Sequence, residues 1–175
     1  MNQGVHTVDL LLWFLGTPVS VSAEIGRLAH EGIEVEDTAV ATVTFESGAL
    51  GVIHATTAGF PGLPVRLQVQ GTQGSAVING EELSILPGAD APTPPPSSRA
   101  EEVLGTAWVA HLRQYRDLVT AIDGDTEPRV TAQDAFLALA TVRAVYIAAT
   151  LGRRVRIADV MAGYFDDVVI EVPGA

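Results

Sequence analysis

The feature that most limits what this chain can fold into is a change of hydrophobic period along its length. Between Val19 and Ile85 apolar and polar residues alternate, as in Val19, Val21, Ala23 and Ile25 against Ser20, Ser22 and Glu24. A period of two marks half-buried strands. On either side the period is helical. Val5 to Leu15 carries Leu10, Trp13 and Phe14 at helical spacing and stops at Gly16, with Pro18 just beyond. Trp108, Leu112, Tyr115, Val119 and Ile122 recur at alternating steps of four and three, which predicts an amphipathic helix with that stripe in the core. Thr131 and Asp134 frame the start of another helix ending at Leu151-Gly152, with Phe136, Leu139, Val142 and Tyr146 expected to face inward.

The strand region divides into short segments. Thr38 to Phe45 and Leu50 to Thr57 are joined by Glu46-Ser47-Gly48-Ala49, and Val65 to Gln70 and Ser75 to Ile78 by Gly71-Thr72-Gln73-Gly74. A turn at Asn79-Gly80 leads to a short strand around Leu83 to Ile85, and Val155 to Ile157 reads as a last strand. Links this short make hairpins, hence antiparallel pairing. The order of elements predicts an α+β fold: an open, mainly antiparallel sheet with helices packed on one face. Residues 1–157 are expected to form one domain, Pro87 to Ser98 a Pro-rich surface loop, and 158–175 an acidic, apolar tail of no assigned role. Ala39 to Thr44 is apolar or Thr-rich on both sides of its strand. A sheet dry on both faces is most simply covered by a second copy, so a homo-oligomer joined through a sheet face is expected.

Composition removes several classes of function. The chain has 175 residues, 47% of them hydrophobic, enough for a real core. There is no unbroken apolar run of membrane-spanning length and no basic, apolar leader after Met1, so no membrane partner and a cytoplasmic location are expected. A net charge of -11 would repel a phosphate backbone, so nucleic acid is not an expected partner. The absence of Cys excludes thiolate chemistry and Cys-type zinc sites. All ten basic residues are Arg, so Schiff-base chemistry, a phosphate-gripping lysine and a lysine general acid would have to come from elsewhere.

The chemistry-bearing stretch is Asn2-Gln3-Gly4-Val5-His6-Thr7-Val8-Asp9, running into the first helix. An imidazole can take a proton at neutral pH, as oxidation of a secondary alcohol requires. Asn2, one helical turn before His6, projects from the same side and can hydrogen-bond a substrate hydroxyl. Asp9 could orient the imidazole or pair with an Arg, the structural role being favoured. This stretch resembles the motif that opens the C-terminal domain of the Gfo/Idh/MocA oxidoreductases, with an Asp or Asn four positions before a catalytic His and an Asp three after it. The likeness continues through Val35-Glu36-Asp37-Thr38, Gly71-Thr72-Gln73-Gly74-Ser75 and His111 to Ile122, and ends near Arg153-Arg154-Val155-Arg156-Ile157.

The resemblance implies a fold like the C-terminal domain of glyceraldehyde-3-phosphate dehydrogenase. It also implies the substrate-binding half of an NAD- or NADP-dependent oxidoreductase acting on a sugar, cyclitol or related polyol. His6 is then the catalytic residue and Asn2 a substrate ligand; where relatives carry Asp at that position the carboxylate can assist the base, which Asn cannot. In the family a preceding Rossmann domain holds the dinucleotide and supplies a Lys. No strand followed by a G-x-G-x-x-G turn occurs here, so neither cofactor is expected to bind this chain tightly alone, and a separate or truncated Rossmann domain is an expected partner. A non-catalytic ligand-binding or oligomerisation domain, or part of a nicotinamide-using lyase or hydrolase, are the alternatives. His30 is expected in a solvated loop, His54 on a strand facing substrate or a subunit interface, and His111 at a helix boundary; the four do not have metal-ligand spacing. Arg153, Arg154 and Arg156 are expected to pair with the helix end and flanking acids.

Overall fold

A computed structural model describes residues 3–80, 82–88 and 107–174. Two compact units are formed, one from residues 1–63 and 132–175 and the other from 64–131. The elements of the larger unit are α1 (Gly4–Leu15), β1 (Pro18–Gly26), β2 (Thr38–Phe45) and β3 (Leu50–Thr56), then α3 (Ala132–Leu151), β7 (Val155–Arg156) and α4 (Ile157–Met161). The smaller unit contains β4 (Arg66–Gly71), β5 (Gly74–Asn79), β6 (Glu82–Pro87) and α2 (Ala107–Asp123). The fold is α+β, and every ladder within the sheets is antiparallel. The strands form two sheets, ordered β3-β2-β1-β7 and β4-β5-β6, rather than the single sheet that alternation suggested. Alternation reports which face of a strand is apolar and is silent on which strands share a ladder.

The larger unit is built on the register of β1 against β2. Val21 pairs with Val43, Ala23 with Ala41 and Ile25 with Ala39, which puts these side chains on one face. That face is the core, with Val21, Ala39 and Val43 fully buried. α3 lies across β1 and also packs on α1 and α4. Its buried face is Ala138, Thr141, Val142, Ala144, Val145, Ile147 and Ala148, with Ala140 also enclosed. Small Ala side chains let the helix approach the sheet closely, and Thr141 satisfies its buried hydroxyl by donating to the Leu137 carbonyl at 2.8 Å. Phe136 and Leu139, expected inward, are exposed; the Ala-rich stripe, not the largest side chains, sets the packed face. By length and composition α3 could also cross a membrane, but here it is a core helix.

The first helix ends as expected. Gly16 takes φ 84° and donates its N–H to the Leu12 carbonyl at 2.7 Å, and Val8, Leu11 and Leu12 form its buried face. Gly51 permits the fit below this helix, because a Cβ there would sit 3.0 Å from the Phe45 ring and 3.5 Å from Leu11. One alternation fails. A register shift between Pro18 and Ser20 bulges Val19 out of phase with Val21, leaving it exposed.

The opposite face of this sheet is open. It presents Ser22 and Glu24 of β1, Val40 and Thr42 of β2, and Leu50, Val52 and His54 of β3, matched by cross-strand pairing. Leu50 and Val52 are 78% and 71% exposed. The C-terminal segment returns along α3: Arg143 Nη2 donates to the Phe165 carbonyl at 3.1 Å, the Glu171 N–H to Thr150 Oγ1 at 3.1 Å, and the Arg27 N–H to the Pro173 carbonyl at 2.9 Å. Arg153 lies 5.7 Å from the Phe165 ring centroid, and Arg156 is 3.9 Å from Asp159.

In the smaller unit β4, β5 and β6 form a meander turning at Gly71–Gly74 and at Gly80. The stripe expected to bury α2 does not do so: Tyr115, Val119 and Ile122 are 68%, 55% and 70% exposed, while Ala121 is buried. The Trp108 side chain and residues 89–98 of the expected Pro-rich loop lie outside the described residues.

The core assignment is testable at Ile147, which has no exposed surface. Ile147→Ala is expected to cost about 2–5 kcal/mol in urea unfolding. Phe136→Ala, on the exposed side of the same helix, should cost about 1 kcal/mol or less.

Candidate functional site

His6 stands in the first turn of α1 and is exposed. Val8, Leu11 and Leu12 face the core, and a rotation of 100° per residue places His6 on the opposite side of the helix. Its backbone N–H donates to the Gln3 carbonyl at 3.3 Å. Asn2 lies outside the described residues. No hydrogen bond or ion pair joins Asp9 to His6 or to an Arg among the described residues.

After α1, the Thr17 carbonyl accepts from the Glu46 N–H at 3.0 Å, and Leu11 borders Gly51. The C-terminal end of α1 therefore lies at the β2–β3 turn, and β2 begins at the opposite end of the sheet. That end is organised by two acidic neighbours that sequence reasoning noted only as part of a likeness.

Asp37 is the better determined of the two. Its side chain has no exposed surface. Oδ1 accepts from the Leu28 N–H at 2.9 Å, and Oδ2 accepts from those of Ala29 and His30 at 2.8 and 2.9 Å. The backbone of Asp37 is tied as well, its N–H to the Gly26 carbonyl at 3.1 Å and its carbonyl to the Thr57 N–H at 2.9 Å. One carboxylate thus replaces the ladder partners that the chain lacks where it leaves β1. The Leu28 N–H, then that of Ala29, hold this carboxyl well below the usual range for aspartate, with burial opposing them and the His30 N–H adding to them.

Glu36, next to it, is buried, and its Oε1 accepts from the Tyr146 hydroxyl at 2.7 Å. This bond ties the start of β2 to α3 across most of the sequence. Burial first, then the hydrogen bond and charge of Glu36, push the Tyr146 phenol upward, so the hydroxyl stays protonated as the donor. Tyr146 was expected to be a core residue on α3; its apolar body packs there while its polar tip serves the acid. Neither acid has a sequence signature beyond its position before a β-branched strand, because the donors come from separate elements.

The remaining histidines separate clearly. His30 Nδ1 lies 3.4 Å from Asp37 Oδ2 on a half-exposed side chain, so it borders the carboxylate rather than sitting free in solvent. His54 is on the open sheet face opposite Val40. His111 is exposed on α2, with Nδ1 3.3 Å from Gln114 Oε1. Among the described residues no three His, Asp or Glu side chains gather as metal ligands would. A shallow cavity of about 190 Å³ lies between Thr17, Glu46, Leu137, Arg156 and Met161, at the opposite end of α1 from His6.

Comparison with known proteins gives this geometry a context. Residues 1–77 match the family described as the GFO/IDH/MocA C-terminal domain, a span that includes His6, Glu36, Asp37 and β1 to β4. The chain is similar to D-apiose dehydrogenase of Paraburkholderia graminis, with 25% identity over 167 residues covering 89% of this chain and 44% of that protein. It is also similar to the uncharacterized oxidoreductase YrbE of Bacillus subtilis, with 34% identity over 83 residues, 45% of this chain and 24% of that one. Among solved structures, the WlbA dehydrogenase of Bordetella pertussis, in complex with NADH and UDP-GlcNAcA, superposes with a TM-score of 0.70 and 27% identity, covering 89% of this chain and 44% of that chain. The present chain therefore spans less than half the length of the relatives it matches.

The Asp37 cradle predicts an acid dependence. A carboxyl whose folded pKa is depressed stabilises the fold above its unfolded value of about 3.9, and that contribution is lost as pH falls further toward the folded value. Urea unfolding of the wild type should weaken progressively below pH about 4. Asp37→Asn should be less stable at pH 7 and should show a smaller loss over the same acid range; equal slopes would remove Asp37 from this role.

Proposed function

We propose that this chain is a Gfo/Idh/MocA C-terminal domain and, from that premise, that it is the substrate-binding half of an NAD(P)-dependent oxidoreductase acting on a sugar, cyclitol or related polyol. The observation that carries the reading is His6, displayed on the exposed side of the first turn of α1 within the matching segment. Oxidation of a secondary alcohol requires a base for the hydroxyl proton as the carbonyl forms, and His6 Nδ1 or Nε2 takes that role. Asn2, one turn earlier in sequence, donates or accepts a hydrogen bond to a neighbouring hydroxyl and cannot itself take the proton. The Glu36–Tyr146 bond and the Asp37 cradle keep the start of β2 ordered within the same unit.

Every ladder in the sheets is antiparallel, whereas dinucleotide cofactors sit at the strand-to-helix turn of a parallel βαβ unit. The chain also contains no Lys. Binding of NAD or NADP and the family's lysine are accordingly assigned to a dinucleotide-binding half outside this sequence. The open face of the β3-β2-β1-β7 sheet, with Leu50 and Val52 largely exposed, is assigned as the surface through which copies of the domain associate.

Two outcomes test the reading. Calorimetric titration of the 175-residue chain with NADH or NADPH should give no stoichiometric binding at micromolar concentration, since the pyrophosphate contacts belong to the other half. In an active enzyme containing both halves, His6→Ala should lower kcat about 10²- to 10⁴-fold with a much smaller change in KM. Near-normal turnover would reduce His6 to a surface residue.

A further inference from the structure

Cross-strand pairing places Glu24, Val40 and His54 side by side in one row on the open sheet face, Glu24 opposite Val40 and Val40 opposite His54. Acid, apolar residue and base thus follow one another across β1, β2 and β3. Neighbouring strands are about 4.8 Å apart, so Glu24 and His54 of one copy stand about 10 Å from each other, too far to pair. Neither has a hydrogen-bond or ion-pair partner among the described residues. The adjoining row is Ser22, Thr42 and Val52, which carries no charge. Arg156 also reaches this face, opposite Ser20, but it lies about 13 Å along the strands from the Glu24 row and beside Asp159.

A row that reads acid, apolar, base becomes base, apolar, acid when turned over. A two-fold axis parallel to the strands and passing over Val40 therefore sets Val40 against Val40 and each Glu24 against the other copy's His54. Facing sheets pack about 10 Å apart, a gap that a glutamate and an imidazole reaching from opposite sides can close. The same operation applied to the adjoining row sets Thr42 on Thr42 and Ser22 against Val52, with no like charges opposed. Burying a lone carboxylate or imidazolium in such a contact would be strongly unfavourable, and pairing them removes that penalty. We propose that two copies of this chain pack open face to open face about this axis, joined by two reciprocal Glu24–His54 contacts flanking Val40. The inference rests on the proposed association through the open face and specifies its partner, register and control by pH. No charged group of β2 or β3 other than His54 itself faces the row. The carboxylate opposite favours the protonated imidazole, so association tightens as pH falls through the range in which histidine gains charge.

Sedimentation equilibrium of the 175-residue chain and its variants tests this, with thermal melts confirming that each variant folds. The wild type is expected to dimerise about tenfold more tightly at pH 6 than at pH 8, and His54→Gln should abolish that difference. Glu24→Arg and His54→Glu should each weaken the dimer about tenfold or more, and the double variant should recover most of the loss. Glu24→Gln is a milder companion and should weaken it less. A wild-type dimer that Thr42→Glu disrupts, but whose affinity the Glu24 and His54 variants leave unchanged or lower additively, would overturn the reciprocal contacts while the open-face association stands. A wild type that stays monomeric, or a dimer indifferent to Thr42→Glu, would overturn the association and this inference with it.

Discussion

The larger unit depends on the register of β1 against β2. With Val21 opposite Val43 and Ile25 opposite Ala39, the side chains that α3 can cover all lie on one face. A slip of β1 by one residue against β2 would turn Ser22 and Glu24 into the core and Val21 and Ile25 out of it. Register also fixes what is left uncovered. A four-stranded sheet with α3 and α1 on one side has nothing from its own unit for the other, and the sequence places Thr, Ser, Val and a few ionisable groups there. Covered face and open face are two consequences of one ladder.

The beginning of β2 is where this ladder is braced by buried acids. Asp37 gathers three backbone N–H groups of the segment that follows β1, and Glu36 takes the Tyr146 hydroxyl from α3. Two adjacent acids thus fix a loop on one side and a helix on the other. Arg27, just before that loop, is tied in turn to the C-terminal segment at Pro173. The proposed base, His6, stands on α1 of the same unit, whose C-terminal end is anchored at the β2–β3 turn, and such a base benefits from a rigid support because small displacements are costly in rate. The supporting groups carry charge but face inward, and His6 faces out.

Much of this was legible in the sequence, and the exceptions are specific. Gly16 and Pro18 marked the end of α1, and the hairpin links marked β2, β3, β4 and β5 almost to the residue. Division into two sheets was not visible, since nothing in a strand's own pattern names its neighbour. The α2 stripe of Tyr115, Val119 and Ile122 showed a true helical period yet lies exposed, because amphipathicity does not say what covers it. In α3 the bulky Phe136 and Leu139 drew attention while Ala138, Ala144 and Ala148 made the contact. His6 was found through its neighbours in sequence. Asp37, Glu36 and Tyr146 were missed as a group because their partners are brought together only by folding.

The electrostatic character of the chain fits a domain that completes an active site without holding its cofactor. It is strongly acidic and lacks Lys, which disfavours an independent site for a pyrophosphate, while an exposed imidazole at His6 suits a neutral polyhydroxyl ligand. The most direct test of that division of labour is to combine this domain with a Gfo/Idh/MocA dinucleotide-binding half and follow the absorbance of reduced nicotinamide with a panel of sugars, cyclitols and simple alcohols. The account predicts reduction of NAD or NADP that depends on both halves and on a polyhydroxylated substrate. Nicotinamide reduction by the dinucleotide-binding half alone at the same rate, or none with any polyol in a properly folded assembly, would contradict it.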